Sequence, residues 1–143
     1  IVTGLVGSEM CIRDRLPRGS RVLDVGCGIG GSSRILAEHY GFNVIGITIS
    51  AEQVKRAREL TKSSLTCTFQ QMDAMNLEFK DGEFDGIWSV EAGPHMPDKQ
   101  KYADEMLRVL RPGGYLGVAD WNSRDLTKKA PNLIEKMVLK QLL

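Results

Sequence analysis

No apolar run in this 143-residue chain approaches the roughly 20 residues that cross a bilayer as a helix, so no membrane-spanning segment is expected. An excess of one charge is missing too. Nineteen basic residues face 18 acidic ones for a net charge of +1, and no basic stripe stands out, which argues against tracking a nucleic-acid backbone. Cysteine is scarce. Cys11, Cys27 and Cys67 are odd in number and scattered, with no CxxC pair and no Cys/His cluster at zinc spacing, so neither a disulfide framework nor a metal site is expected. Free thiols suit a reducing cytosol or a similar compartment. Internal repeats and low-complexity tracts are absent as well. What is there is ordinary: 42% hydrophobic and 26% charged residues, enough apolar material for one globular domain with its own core.

The two ends read differently from the middle. Residues 1–15 show neither helical nor strand periodicity, and Gly7-Ser8-Glu9-Met10-Cys11-Ile12-Arg13-Asp14-Arg15 resembles a translated sequencing-adapter read-through. A secretory signal matches poorly, because Gly4 and Gly7 break the early apolar stretch and no basic start precedes it. Residues 1–15 are therefore expected to be a non-native or disordered leader, and residues 16–143 one domain. That domain is expected to be truncated. The chain stops at Leu143 inside a helical pattern whose Leu133, Ile134, Met137, Val138 and Leu142 share one face.

Between the ends, strand and helix signals alternate. Arg21-Val22-Leu23-Asp24-Val25 is a short β-branched run that ends in glycines. Ser32 or Ser33 is the expected cap of the next helix, with Ile35, Leu36 and Tyr40 on its inner face and Gly41 after it. A second strand is expected over residues 43–47. Ser50 with Gln53 three residues on makes a capping box, followed by Val54, Ala57 and Leu60 at helical spacing. Residues 66–71 and 84–89 read as strands, the second after the Asp81-Gly82 turn. Pro97-Asp98 opens a helix with Tyr102, Ala103, Met106, Leu107 and Leu110 on its stripe, Pro112-Gly113-Gly114 stops it, and residues 115–119 form a fifth strand. This alternation predicts an α/β fold: a Rossmann-like, doubly wound, mostly parallel sheet covered on both faces. Ligands of such sheets bind at the strand carboxyl ends, near the switch in strand order.

The residues with chemistry fall at those ends. Asp24-Val25-Gly26-Cys27-Gly28-Ile29-Gly30-Gly31 follows strand one. Its glycines let backbone approach a ligand and turn tightly into a helix. Gly26-x-Gly28-x-x-Gly31 also satisfies the dinucleotide fingerprint, so an NAD-dependent dehydrogenase is an alternative. Two features argue against it. Asp24 would repel a pyrophosphate, whereas it could hold loop amides or, through water, an ammonium. Strand two ends in Ile47-Thr48-Ile49, without the acidic residue that takes the ribose in NAD enzymes. Cys27 is read as a space-filler in the loop rather than a nucleophile, since no basic partner is near it in sequence.

With Asp73 after strand three and Leu110-Arg111-Pro112-Gly113-Gly114 before strand five, the chain from Leu16 to about Asp125 resembles the seven-stranded S-adenosylmethionine-dependent methyltransferases. The resemblance implies S-adenosyl-L-methionine as cofactor and assigns roles by position. Gly26, Cys27 and Gly28 would offer backbone to the methionine portion. Thr48, Ile49 and Gln53 would meet the ribose in the branch with a Gly-Ile-Thr-Ile-Ser turn, where a helix glutamine replaces the family's acidic residue. Asp73 and Ala74 would hold the adenine, and Ser89 and Glu91 would line the pocket. Gln53 has an alternative as a mere helix cap, and Asp73 as a turn residue bonding its own backbone.

The segment from Trp88 to Asp98, with Gly28-Ile29-Gly30-Gly31-Ser32-Ser33 and Ala119-Asp120-Trp121-Asn122, resembles the tocopherol-type quinol methyltransferases, above all the cyanobacterial and algal enzymes acting on 2-methyl-6-phytyl-1,4-benzoquinol. That implies methylation of a ring carbon of a prenylated benzoquinol, with O-methylation of a sugar or natural product as the alternative. Deprotonating the neighbouring phenol raises ring nucleophilicity. An imidazole suits that task, which makes His95 the candidate base, with Glu91 or Asp120 to orient it. Asp120 is itself a catalytic candidate, and His95 has the alternative of a loop hydrogen bond. Trp88 and Trp121 are candidates to border an aromatic acceptor, with core packing the alternative for Trp88. A prenylated acceptor is membrane-resident, so peripheral membrane contact in a cytoplasm or plastid is expected, with no nucleic-acid partner.

Overall fold

The computed structural model describes residues 15–120. Its strands are β1 (Arg21–Val25), β2 (Asn43–Thr48), β3 (Cys67–Gln71), β4 (Phe84–Val90) and β5 (Leu110–Ala119). Its α-helices are α1 (Gly31–Tyr40), α2 (Ala51–Glu59) and α3 (Lys99–Val109), with a 3-10 turn at Gly93–His95. The five strands form one sheet in the order β3-β2-β1-β4-β5, and every pairing is parallel. This is the doubly wound arrangement, with its order reversing between β1 and β4.

Alternation along the strands sends side chains to two cores. Val22, Val44, Phe69 and Trp88 pack with Leu36 and Ala37 of α1 and Val54 and Ala57 of α2 on one face. Leu23, Val25, Ile47 and Ile87 pack with Tyr102, Met106 and Val109 of α3 on the other. Full burial of one such Val, Leu or Ile contributes about 1.5–3 kcal/mol. Burial on both faces explains why β1 reads as a near-continuous apolar run broken only by Asp24.

Several local expectations change. Neither Ser32 nor Ser33 caps α1: its N-cap is Gly30 at φ +78°, with no side-chain cap bond. Gly41 does end the helix in the left-handed conformation. Ile35 and Leu107 point outward at 42% and 56% exposure, while Ala37 and Val109 take buried places. Leu60 is the cap after α2 and is partly exposed. Helix α3 ends at Val109, before the Pro-Gly-Gly run. Leu110 is already extended and pairs with Phe84, and β5 continues through Pro112 with a register shift between Phe84 and Gly86. Proline has no N–H for a ladder, so an irregularity there is the expected response. The leader up to residue 14, Trp121 and the helical pattern near the end of the chain lie outside the described residues.

Candidate functional site

The site begins where two strand pairings part. β1 stays in register with β2 as far as Val25↔Ile47, but its pairing with β4 stops at Asp24↔Trp88. β4 follows β5 instead, out to Val90↔Ala119. The gap is a cleft of about 350 Å³, in the size range of small-molecule sites, roughly 300–1,000 Å³. Gly26 and Gly28 line it after β1, Thr48, Ile49 and Gln53 after β2, Met72 and Ala74 after β3, and Glu91, Ala92, His95 and Met96 after β4. A larger hollow of about 600 Å³ beside Arg58, Lys62 and Thr68 lies between α2 and β3, away from the strand carboxyl ends.

The glycine loop needs its glycines for two reasons. Gly26 and Gly28 have φ of +76° and +55°, a region that costs side-chain-bearing residues about 1–2 kcal/mol. A Cβ on Gly26 would also lie 2.5 Å from the Cβ of Ala92, so the two walls of the cleft touch at its root. A Cβ on Gly28 would meet nothing within 4 Å, which leaves bare backbone facing open space. Asp24 lies beneath the loop at 1% exposure. Its carboxylate accepts the Ser32 and Ser33 hydroxyls at 2.7 and 2.5 Å. Burial raises its pKa, opposed by the bonds from Ser32 and Ser33. Asp24 thus ties β1 to the first turn of α1 and is not among the cleft-lining residues. Cys27 is buried, and burial with nearby Asp24 pushes its thiol up to about 12. Such a thiol is protonated and inert, as the space-filling role requires.

On the β2 side, Ser50 accepts the Gln53 backbone N–H at 3.3 Å, half of a capping box. The Gln53 side chain does not return to Ser50. Its Oε1 accepts the Thr48 hydroxyl at 2.6 Å, while Thr48 Oγ1 takes the Ser50 N–H at 3.4 Å. With its oxygen engaged, the amide keeps its NH₂ as donor on the cleft wall, after a strand that ends without a carboxylate.

The methyltransferase domain model matches residues 23–118. The chain belongs to the methyltransferase domain family. It is 65% identical over 130 residues to 2-methyl-6-phytyl-1,4-hydroquinone methyltransferase of Synechocystis sp., covering 91% of this chain and 41% of the relative. To the chloroplastic tocopherol O-methyltransferase of Arabidopsis thaliana it is 48% identical, covering 75% of this chain and 32% of the relative. The structure of Haemonchus contortus phosphoethanolamine N-methyltransferase 2 in complex with S-adenosyl-L-methionine matches with a TM-score of 0.72 and 25% identity, over 95% of this chain and 36% of that one. The chain therefore spans about two fifths or less of the length of these relatives.

Within this methyltransferase domain, the remaining predicted residues have varied placements. Asp73 is exposed, and its Oδ1 accepts the Met75 N–H at 2.8 Å, the bond of the turn alternative. Ser89 is fully buried; its hydroxyl reaches the Val25 carbonyl and the Tyr102 hydroxyl at 2.9 and 2.5 Å, and it is not among the cleft-lining residues. Glu91, on the cleft wall, has φ +56°, a strained value for a residue other than glycine. Its N–H is held by the Ala119 carbonyl at 2.8 Å. His95 ends the 3-10 turn, exposed at the cleft. Asp120, exposed after β5, accepts the Gly93 N–H at 3.2 Å and so braces that turn. Trp88 belongs to the core at 2% exposure, its Nε1 without a partner among the described residues. Sequence reasoning did not single out Met72, Ala92 or Met96 as cleft residues. Each follows a strand end, which is the signal that locates them. Among the described residues, no group of three or more His, Cys, Asp or Glu is placed to hold a metal ion.

Proposed function

We propose that this chain is the S-adenosylmethionine-binding part of an enzyme that methylates a ring carbon of a prenylated benzoquinol. The observation that carries the reading is the cleft between β1 and β4, where bare glycine backbone faces the neutral Thr48–Gln53 pair. The 65% identity to a 2-methyl-6-phytyl-1,4-hydroquinone methyltransferase supports the acceptor. When bound, S-adenosylmethionine would supply a sulfonium-activated methyl group, transferred in one SN2 step in which the acceptor carbon bonds the methyl as the C–S bond breaks and the thioether S-adenosylhomocysteine leaves. Gly26, Cys27 and Gly28 give backbone to the methionine portion. Gln53, oriented by Thr48, donates to the ribose, with Ile49 lining the cleft beside it. Ala74 on the cleft wall takes the adenine, with Asp73 reaching it through the carboxylate oxygen that its turn bond to Met75 leaves over. Glu91 lines the wall across from the glycines.

His95 is the proposed base. It takes the phenol proton next to the reacting carbon, which raises electron density there; after methyl transfer the ring carbon loses its proton to water and His95 returns its own to the oxygen, which restores the aromatic quinol. Asp120 places His95 through the Gly93 turn. The acceptor's prenyl tail implies peripheral contact with a bilayer; no described helix is long and apolar enough to cross one. Relatives named as chloroplastic favour a plastid setting. A second reading, O-methylation, is favoured by the 48% identity to tocopherol O-methyltransferase. Incubating the full-length protein with methyl-labelled S-adenosylmethionine and 2-methyl-6-phytyl-1,4-benzoquinol decides between them. Label on a ring carbon supports the first reading, label on an oxygen, of the phenol or of an added sugar, the second, and transfer to neither refutes both.

A further inference from the structure

We infer that Ser89 and Tyr102 are positioning residues that hold open the split between β1 and β4 and so preset the glycine loop for its ligand. The inference rests on the cofactor reading above. The two polar groups of one peptide plane point opposite ways. The Gly26 N–H bonds the Ile47 carbonyl on β2 at 2.9 Å, so the Val25 carbonyl turns toward β4. There the ladder has ended, one residue earlier, at Asp24↔Trp88. A buried carbonyl facing such a gap needs a donor. Ser89 supplies it at 2.9 Å.

A serine hydroxyl has one hydrogen, and Val25 takes it. The Tyr102 hydroxyl, 2.5 Å from Ser89 Oγ, must then be the donor of the second bond. The chain runs in one direction, Tyr102 to Ser89 to Val25. Burial, foremost, with Asp120 and Asp24 nearby and the Ser89 bond opposing, raises the Tyr102 pKa, so the hydroxyl keeps the proton this direction requires. Ser89 and Tyr102 are both buried, at 0% and 4% exposure. Their position distinguishes them from ordinary core hydrogen bonds. The next residue after Val25 is Gly26, at φ +76°, and two residues after Ser89 is Glu91, at φ +56°. The wedge sits at the root of both cleft walls. Without it the Val25–Gly26 peptide would rotate toward other donors, and a ligand would have to restore the loop on binding.

The test compares Ser89→Ala, Tyr102→Phe and the double variant in the full-length protein, reading S-adenosylmethionine Kd by calorimetry well below the unfolding midpoint, with KM and kcat alongside. Ser89→Ala is expected to raise Kd and KM for the cofactor about tenfold, equivalent to about 1.4 kcal/mol. Tyr102→Phe raises them only about threefold, because Ser89 still donates to Val25. The double variant is no worse than Ser89→Ala, and kcat at saturation stays within about twofold throughout. Should Ser89→Ala not fold, the isosteric Tyr102→Phe carries the test, with faster amide exchange at Gly26 and Glu91 as its second readout. An unfolding midpoint that falls while Kd stays unchanged overturns the inference. So do additive effects of the two substitutions. If the unmodified protein binds no S-adenosylmethionine, the cofactor reading falls and this inference with it.

Discussion

Gly26→Ala tests the geometry at the root of the cleft with a worked magnitude. Two costs are expected. Placing a Cβ residue at φ +76° costs about 1–2 kcal/mol. Forcing the new methyl against the Ala92 Cβ, 2.5 Å away, adds an overpacking cost of about 1–3 kcal/mol. The sum, about 2–5 kcal/mol, is a large share of a typical domain's stability of about 5–15 kcal/mol. The two costs are separable because the clash is with one methyl group. Ala92→Gly removes it and leaves the Ala92 Cα at 3.7 Å, an ordinary contact. On its own, Ala92→Gly is expected to destabilise by about 0.5–1 kcal/mol through backbone entropy. Combined with Gly26→Ala it is expected to stabilise, returning the overpacking cost and leaving the φ cost. Urea unfolding of the four proteins in this double-mutant cycle gives the coupling directly. Additivity within about 0.3 kcal/mol would refute the contact between the two walls.

Asp24→Asn tests the buried carboxylate through pH. Its folded pKa is raised above the unfolded value near 3.8, so its contribution is fully present below that value and is lost as pH rises through the folded pKa. Relative to Asp24→Asn, the unmodified protein is therefore expected to lose stability between acid and neutral pH in urea titrations; a difference that grows with pH would contradict the assignment. Cys27 and Cys67, held at about 12 and about 11 chiefly by burial, are expected to ignore an aromatic disulfide reagent at about pH 8 in the native state. In a Cys11→Ser background both should react after denaturation, and rapid native reaction of either would show that it is not buried. Gln53→Ala separates capping from cofactor binding, because Ser50 bonds the Gln53 backbone and not its side chain. It is expected to weaken S-adenosylmethionine binding about fivefold, roughly 1 kcal/mol, with the thermal midpoint nearly unchanged; the converse result would make Gln53 a cap. His95→Asn is expected to lower kcat about 10²–10⁴-fold with cofactor Kd intact, and an unchanged kcat would remove His95 as the base.

Most of the architecture was legible beforehand because it depends on local rules. β-branched runs, a capping serine at Ser50 and the left-handed Gly41 mark element ends by their own backbone preferences, and strand–helix alternation then admits few topologies. The errors came where tertiary contacts outweighed local preference. Ser32 and Ser33 look like helix caps, yet the buried Asp24 carboxylate needs donors, and both serines went to it while Gly30 took the N-cap place. Leu107 fits a helical stripe, but the face that meets the sheet runs through Tyr102, Met106 and Val109.

The amino-acid sequence by itself determined the parallel sheet, the positions of the glycines and the absence of an acid after β2, and therefore the end of the sheet that carries the cleft. All of these follow from periodicity and backbone freedom within a few residues. Only the tertiary structure decided that the β1–β4 ladder ends at Asp24↔Trp88, that Gly26 abuts Ala92, and that Ser89 turns inward to Val25, a partner 64 residues away. Such contacts depend on strand register and on which buried group still lacks a partner once the sheet has formed, and neither quantity is local to any stretch of sequence.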